Sequence, residues 1–252
     1  MSGVNGGIDY EIDLTTLPPS LASRISYVQN GPDSPTALIS AAEEIALASK
    51  SHPQTLPVLV DMLGFNNPAA AGIAIAALVD AGDLSIPSLL TGVAAFNYSV
   101  NAYALRALAG IGNPSVLQVC LACANSGPIP NVRRAACRAL GSLHYTANEH
   151  ARTAYECLLT LADKEADWGV RYAAIVALEH FEAISLLDRA LKELGLRVVL
   201  AAAEGNGNVL NEQQSEEGKE NKIAIQSDPT VAARATVALE TMRQRLEASA
   251  GV

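Results

Sequence analysis

The nine residues VRRAACRAL (Val132–Leu140) decide how the chain is read, because their pattern recurs. AAGIAIAAL starts at Ala70, VNAYALRAL at Val100, VRYAAIVAL at Val170 and VAARATVAL at Val231. The fifth residue is always Ala (Ala74, Ala104, Ala136, Ala174, Ala235) and the ninth always Leu (Leu78, Leu108, Leu140, Leu178, Leu239). A further copy starts at Ala37, with Ala41 and Ile45 in those places. Positions one, five and nine lie at i, i+4 and i+8, which is one stripe of an α-helix. A small residue in mid-stripe admits a neighbouring helix, and the Leu one turn later fills the space beside it.

Each copy follows turn chemistry: Asn66-Asn67-Pro68, Asn97-Tyr98-Ser99, Pro128-Ile129-Pro130-Asn131, Ala166-Asp167-Trp168-Gly169 and Ser227-Asp228-Pro229. Asn, Asp and Ser suit helix N-caps, and Pro suits a first helical turn. A second apolar helix is predicted before the first four of these turns, over 54–63, 86–96, 114–124 and 149–162. The unit is a helical hairpin of about 30–40 residues, the scale of helical repeat arrays. The predicted fold is all-α: a right-handed alpha-alpha superhelix (solenoid) of about six HEAT-like hairpins over 34–248. Residues 1–33 read as an irregular N-terminal segment with at most a short helix near Leu21–Val28. A helix-like stretch runs from Ala183 to Ala203. A polar, acidic insert at about 204–222 reads as a flexible loop between the last two repeats.

Composition agrees. Half of the 252 residues are hydrophobic and only 4% aromatic, and the apolar share is dominated by the helix formers Ala and Leu. The formal charge of −9 argues against nucleic-acid binding, which needs clustered cations. No apolar run is long enough for a membrane span, and the N-terminus lacks the basic start and apolar run of a signal peptide. Four cysteines do not make a disulfide framework and fit a reducing, cytoplasmic setting.

Several residue groups bear on chemistry. Arg106, Arg133, Arg134, Arg138 and Arg171 form a basic cluster in an acidic chain, suited to carboxylates; alternatively they make an inter-repeat ladder, each paired with a turn Asp or Asn. Tyr98, Tyr103, Trp168 and Tyr172 suit stacking on a planar ligand, or core packing. Asp167 reads as an N-cap or as a proton donor to a ligand nitrogen. Cys120 and Cys123 form a C-x-x-C, read as buried packing or, alternatively, as a metal or cluster site. No nucleophile–base constellation and no phosphate-binding motif is present.

The repeats also resemble a known family. YSVNAYALRALAGIGNPSVL (Tyr98–Leu117), PNVRRAACRALGSLHY (Pro130–Tyr145) and DWGVRYAAIVALEHF (Asp167–Phe181) are similar to repeats of the HEAT-type phycobilin lyase subunits. The resemblance spans about 55–181 and 228–246, and the acidic insert departs from the family's compact second subunit. It implies handling of a transiently bound phycocyanobilin, with no tightly bound cofactor, in a concave groove. It also implies a phycobiliprotein subunit as partner, attachment or detachment chemistry or antenna turnover, and a second HEAT-repeat lyase subunit. The setting is the cyanobacterial cytosol beside the thylakoid antenna. The alternative is a non-catalytic scaffold, for example one that binds an A-type iron–sulfur carrier protein. On the first reading the bilin or partner contacts are Tyr98, Tyr103, Arg106, Arg133, Arg134, Arg138, Trp168, Arg171 and Tyr172.

Overall fold

The computed structural model describes residues 8–181, 183–206, 209–211 and 228–250. The described residues are helical, with no strand among them, and they fall into two compact units, one running to Ile111 and the other from Gly112.

The first unit holds α1 (Pro19–Gln29), α2 (Pro35–Ala48), α3 (Leu56–Met62), α4 (Pro68–Asp80), α5 (Ile86–Ala94) and α6 (Tyr98–Ile111). They form the hairpins α1/α2, α3/α4 and α5/α6. The second helices α2, α4 and α6 pack side by side in one layer, and α3 packs on α5 in the other. Starts are set by chemistry legible in the sequence. Ser34 and Asn67 side chains accept the N–H groups of Ala37 and Ala70, and Pro35 and Pro68 occupy first-turn positions.

The second unit repeats the plan with α7 (Leu117–Ser126), α8 (Pro130–Ser142), α9 (Asn148–Lys164), α10 (Trp168–Glu179), α11 (Arg189–Ala203) and α12 (Pro229–Ala250). Here α8, α10 and α12 form one layer and α7, α9 and α11 the other. The Ala and Leu of positions five and nine are buried in every copy, Ala74, Ala104, Ala136, Ala174 and Ala235 among them. Gly141 shows how tight the stack is: a Cβ there would lie 3.0–3.1 Å from Ala177 on α10. Phe181 closes the core, stacked on Tyr145 at 5.8 Å and meeting Tyr155 edge-on at 5.1 Å.

Five places differ from expectation. The N-terminal helix is longer than predicted, at Pro19–Gln29. The first turns at Pro53 and Pro114 are 3-10 turns, so α3 and α7 start later than the apolar pattern suggested. The 183–203 stretch is not one helix: a 3-10 turn at Ile184–Leu186 precedes α11, which starts where Asp188 caps the Leu191 N–H at 2.8 Å. The start of the insert is not a free loop either, because the buried Asp163 carboxylate accepts the N–H groups of Val209 and Leu210 at 2.9 and 3.1 Å. The flexible-loop reading of 212–222 lies outside the described residues.

Candidate functional site

Position two of three consecutive repeats is taken by Asn101, Arg133 and Arg171, and all three do one job. Each side chain reaches back to carbonyls at the end of the first helix of its own hairpin. Asn101 Nδ2 donates to Gly92, Val93 and Ala95 oxygens at 2.8–3.0 Å. Arg133 Nη1 donates to Gly127 O at 3.0 Å. Arg171 Nη1 donates to Glu165 O and Ala166 O at 2.8 and 2.9 Å. A helix end leaves carbonyls without intrahelical partners, and these side chains satisfy them. Arg171 is buried accordingly.

Arg133 does more. Its Nε and Nη2 donate to the two carboxylate oxygens of Glu165 at 3.1 and 3.0 Å. Glu165 Oε1 also accepts the Asp167 N–H at 3.0 Å. Asp167 Oδ1 in turn caps the Val170 N–H at 2.9 Å, which gives that side chain a structural role as N-cap of α10. The Glu165–Asp167 turn is thus bonded at its side chain, its carbonyls and its N–H. The partners are Glu and main-chain oxygens, where the ladder reading anticipated turn Asp or Asn.

The residue immediately after this turn is Trp168, with 48% of its surface exposed. Trp168, Tyr172 and Val176 follow at i, i+4 and i+8 and form the outward stripe of α10. On α8 the same stripe is Pro130, Arg134 and Arg138, and both arginines are exposed. On α12 it is Pro229, Ala233 and Val237. α8 packs on α10 and α10 on α12, so the three stripes make one surface. Arg134 crosses towards α10: a Cβ at Gly169 would lie 3.0 Å from Arg134 Nη1. The surface grades from two cations one turn apart, through an indole and a phenol, to small apolar side chains.

In the first unit, Arg106 lies over the Tyr103 ring at 5.4 Å, and Tyr98 is half exposed at the head of α6. Phe96, in the turn before it, is 99% exposed and was not singled out from sequence. The predicted residues therefore divide three ways. Arg133, Arg171 and Asp167 are committed to the scaffold. Arg134, Arg138, Trp168 and Tyr172 share the face of the second unit. Tyr98, Tyr103 and Arg106 lie in the first unit. Glu165 was missed; its signal was a second carboxylate, two residues before Asp167, in the turn of the Asp-Trp repeat. A broad open groove between α9 and α11, lined by Leu159, Leu191, Leu194 and Arg197 among others, contains none of the predicted residues.

The cysteines read as packing. Cys120 is buried and burial pushes its thiol up to about 12; burial also raises Cys123. Among the described residues, no group of three or more His, Cys, Asp and Glu could hold a metal ion.

Residues 86–179 match the family model described as HEAT repeats. A phycocyanobilin lyase subunit beta of Nostoc sp. (strain PCC 7120) is 41% identical over 153 residues, covering 58% of this chain and 75% of that protein. The chain belongs to the HEAT-repeat phycobilin lyase family.

A Synechocystis family member, phycocyanin alpha phycocyanobilin lyase CpcF, is 34% identical over 168 residues, covering 64% of this chain and 77% of its own. Among solved structures, the complex of CpcE and CpcF of phycocyanin lyase from Nostoc sp. PCC7120 matches with a TM-score of 0.57 and 33% identity, over 73% of this chain and 96% of that one. All twelve helices described above for this family member pair as hairpins, so the all-α HEAT-type class predicted from the repeats holds. No helix among its described residues is long and apolar enough to cross a membrane.

Proposed function

We propose that this protein assists the attachment of phycocyanobilin to a phycobiliprotein subunit, in the cyanobacterial cytosol beside the thylakoid antenna. The observation that carries this reading is the exposed surface of α8, α10 and α12. An open-chain tetrapyrrole has a conjugated body with two propionates on neighbouring central rings. Arg134 and Arg138, one helical turn apart, pair with the propionates; Trp168 and Tyr172 stack on the rings; Ala233 and Val237 take the apolar edge. The bilin is bound transiently, and the nucleophile belongs to the antenna subunit. Its cysteine S–H adds across the ring-A ethylidene double bond: sulfur bonds the side-chain carbon, the proton goes to the pigment, and nothing leaves. The contribution of this protein is to hold the pigment extended and fixed, which can be a large rate factor.

The relatives named as lyase subunits favour this over the iron–sulfur-carrier scaffold. The complex of CpcE and CpcF supports a second HEAT-repeat subunit as a further partner. Co-expression with phycocyanobilin, an antenna α- or β-subunit and a second lyase subunit tests the function. Covalent pigment on a zinc-stained denaturing gel should depend on this chain. Equal colour without it would refute the proposal.

A further inference from the structure

The bilin face is held by a residue that does not belong to it. Trp168 is half exposed and follows directly on the Glu165–Asp167 turn, as the first residue of α10. Glu165 is only 12% exposed, and both carboxylate oxygens are used. Oε1 accepts from Asp167 N and Arg133 Nη2, and Oε2 from Arg133 Nε, at 3.0–3.1 Å. Its main-chain oxygen is gripped by Arg171 from inside α10 at 2.8 Å. Arg133 is itself anchored to the end of α7 through Gly127 O. One carboxylate thereby joins α7, α8 and the entry to α10. It also turns Arg133 inwards, so that Arg134 and Arg138 alone of the α8 cations face out.

We infer that Glu165 is a positioning residue for pigment binding: through the Asp167 N–H and Arg133 it holds the Trp168 indole in place beside Arg134. The inference rests on the bilin reading above. An indole already ordered in the free protein does not lose its freedom when the pigment binds, and that freedom costs affinity when it must be frozen.

Trp168 is the single tryptophan of the chain, so its fluorescence reports this position alone. The experiment uses the full chain as wild type, Glu165→Ala, Glu165→Gln and Arg133→Met. Time-resolved anisotropy of Trp168 is recorded in the free protein, and quenching is recorded on titration with phycocyanobilin. In Glu165→Ala the indole should reorient faster, and half-maximal quenching should need about three- to tenfold more pigment. Glu165→Gln keeps an oxygen for the Asp167 N–H while losing the ion pair, so it should recover part of both losses. A folded Glu165→Ala with wild-type anisotropy and wild-type half-saturation overturns the inference. If that variant does not fold, Glu165→Gln and Arg133→Met decide by the same two readings. If phycocyanobilin does not quench wild-type Trp168, the bilin reading falls and takes the affinity claim with it. The anisotropy comparison still decides whether Glu165 holds the indole.

Discussion

Arg133 and Glu165 stand 32 residues apart and meet through two hydrogen bonds, Nε to Oε2 at 3.1 Å and Nη2 to Oε1 at 3.0 Å, with each side chain less than one-fifth exposed. The neighbouring Arg134 is exposed. One step along α8 turns a side chain by about 100°, and this separates a structural cation from a free one.

Arg133→Ala therefore strands a shielded carboxylate and the Gly127 carbonyl. It should destabilise the protein by about 2–3 kcal/mol. Arg134→Ala should change stability by no more than about 0.5 kcal/mol. Thermal melts followed by circular dichroism check both; equal effects would contradict the division of roles.

Gly195 on α11 faces the Tyr155 hydroxyl so closely that a Cβ there would overlap it. Ala normally favours a helix interior over Gly by about 1 kcal/mol. Here overpacking outweighs that gain, and Gly195→Ala should cost about 1–3 kcal/mol. Tyr155→Phe removes the overlapping oxygen, so the double variant should recover part of the loss in a denaturant-unfolding cycle. Ala104→Leu and Ala136→Leu, at fully buried positions, should cost a similar ~1–3 kcal/mol.

Asp61 on α3 is buried, and desolvation pushes its carboxyl up to about 6, partly offset by the Ile8 N–H that it accepts. The unfolded value is near ~4. Between those values the folded chain holds a proton that the unfolded chain releases, so stability falls as pH rises from about 4 to 6. The contribution is fully present below the unfolded value and lost above the folded one. Asp61→Asn should abolish this slope and raise stability at pH 7.5 by about 2 kcal/mol. Unfolding curves at pH 4.5 and 7.5 check the sign.

Burial raises the thiols of Cys120, Cys123, Cys137 and Cys157, with Cys120 at about 12 and Cys157 at about 11. The thiolate is the reactive species. A chromogenic disulfide reagent at pH 8 should label the folded protein slowly and all four cysteines after denaturation. Cys120→Ser/Cys123→Ser should leave pigment binding unchanged; lost binding would revive a direct role for the pair.

The stacking plan was legible because it is periodic. Ala136 and Leu140 recur at fixed places, and Asn67 and Asp167 cap the helices they precede, since capping depends only on the next three residues. The inner and outer arginines were not separable, because Arg133 owes its role to Glu165 and Gly127, which sequence spacing does not bring together. The Val209–Leu210 anchor was equally hidden. The surrounding residues are polar and read as loop, while the acceptor, Asp163, lies at the end of a helix 46 residues earlier. The outward stripe of Trp168 and Tyr172 was visible as aromatic content, and its place beside Arg134 needed the packing of α8 on α10.

The central claim is that the α8–α10–α12 face takes the bilin through Arg134, Arg138, Trp168 and Tyr172. It is tested most directly by the absorbance of phycocyanobilin added to the purified chain, wild type against Arg134→Ala/Arg138→Ala, with Tyr98→Ala/Tyr103→Ala as the comparison in the first unit. Ordered stacking in an extended form should intensify and red-shift the long-wavelength band with wild type, and the double arginine variant should abolish that change while melting normally. An undiminished spectral change in a folded Arg134→Ala/Arg138→Ala protein, or a loss confined to the Tyr98/Tyr103 variant, would contradict the account.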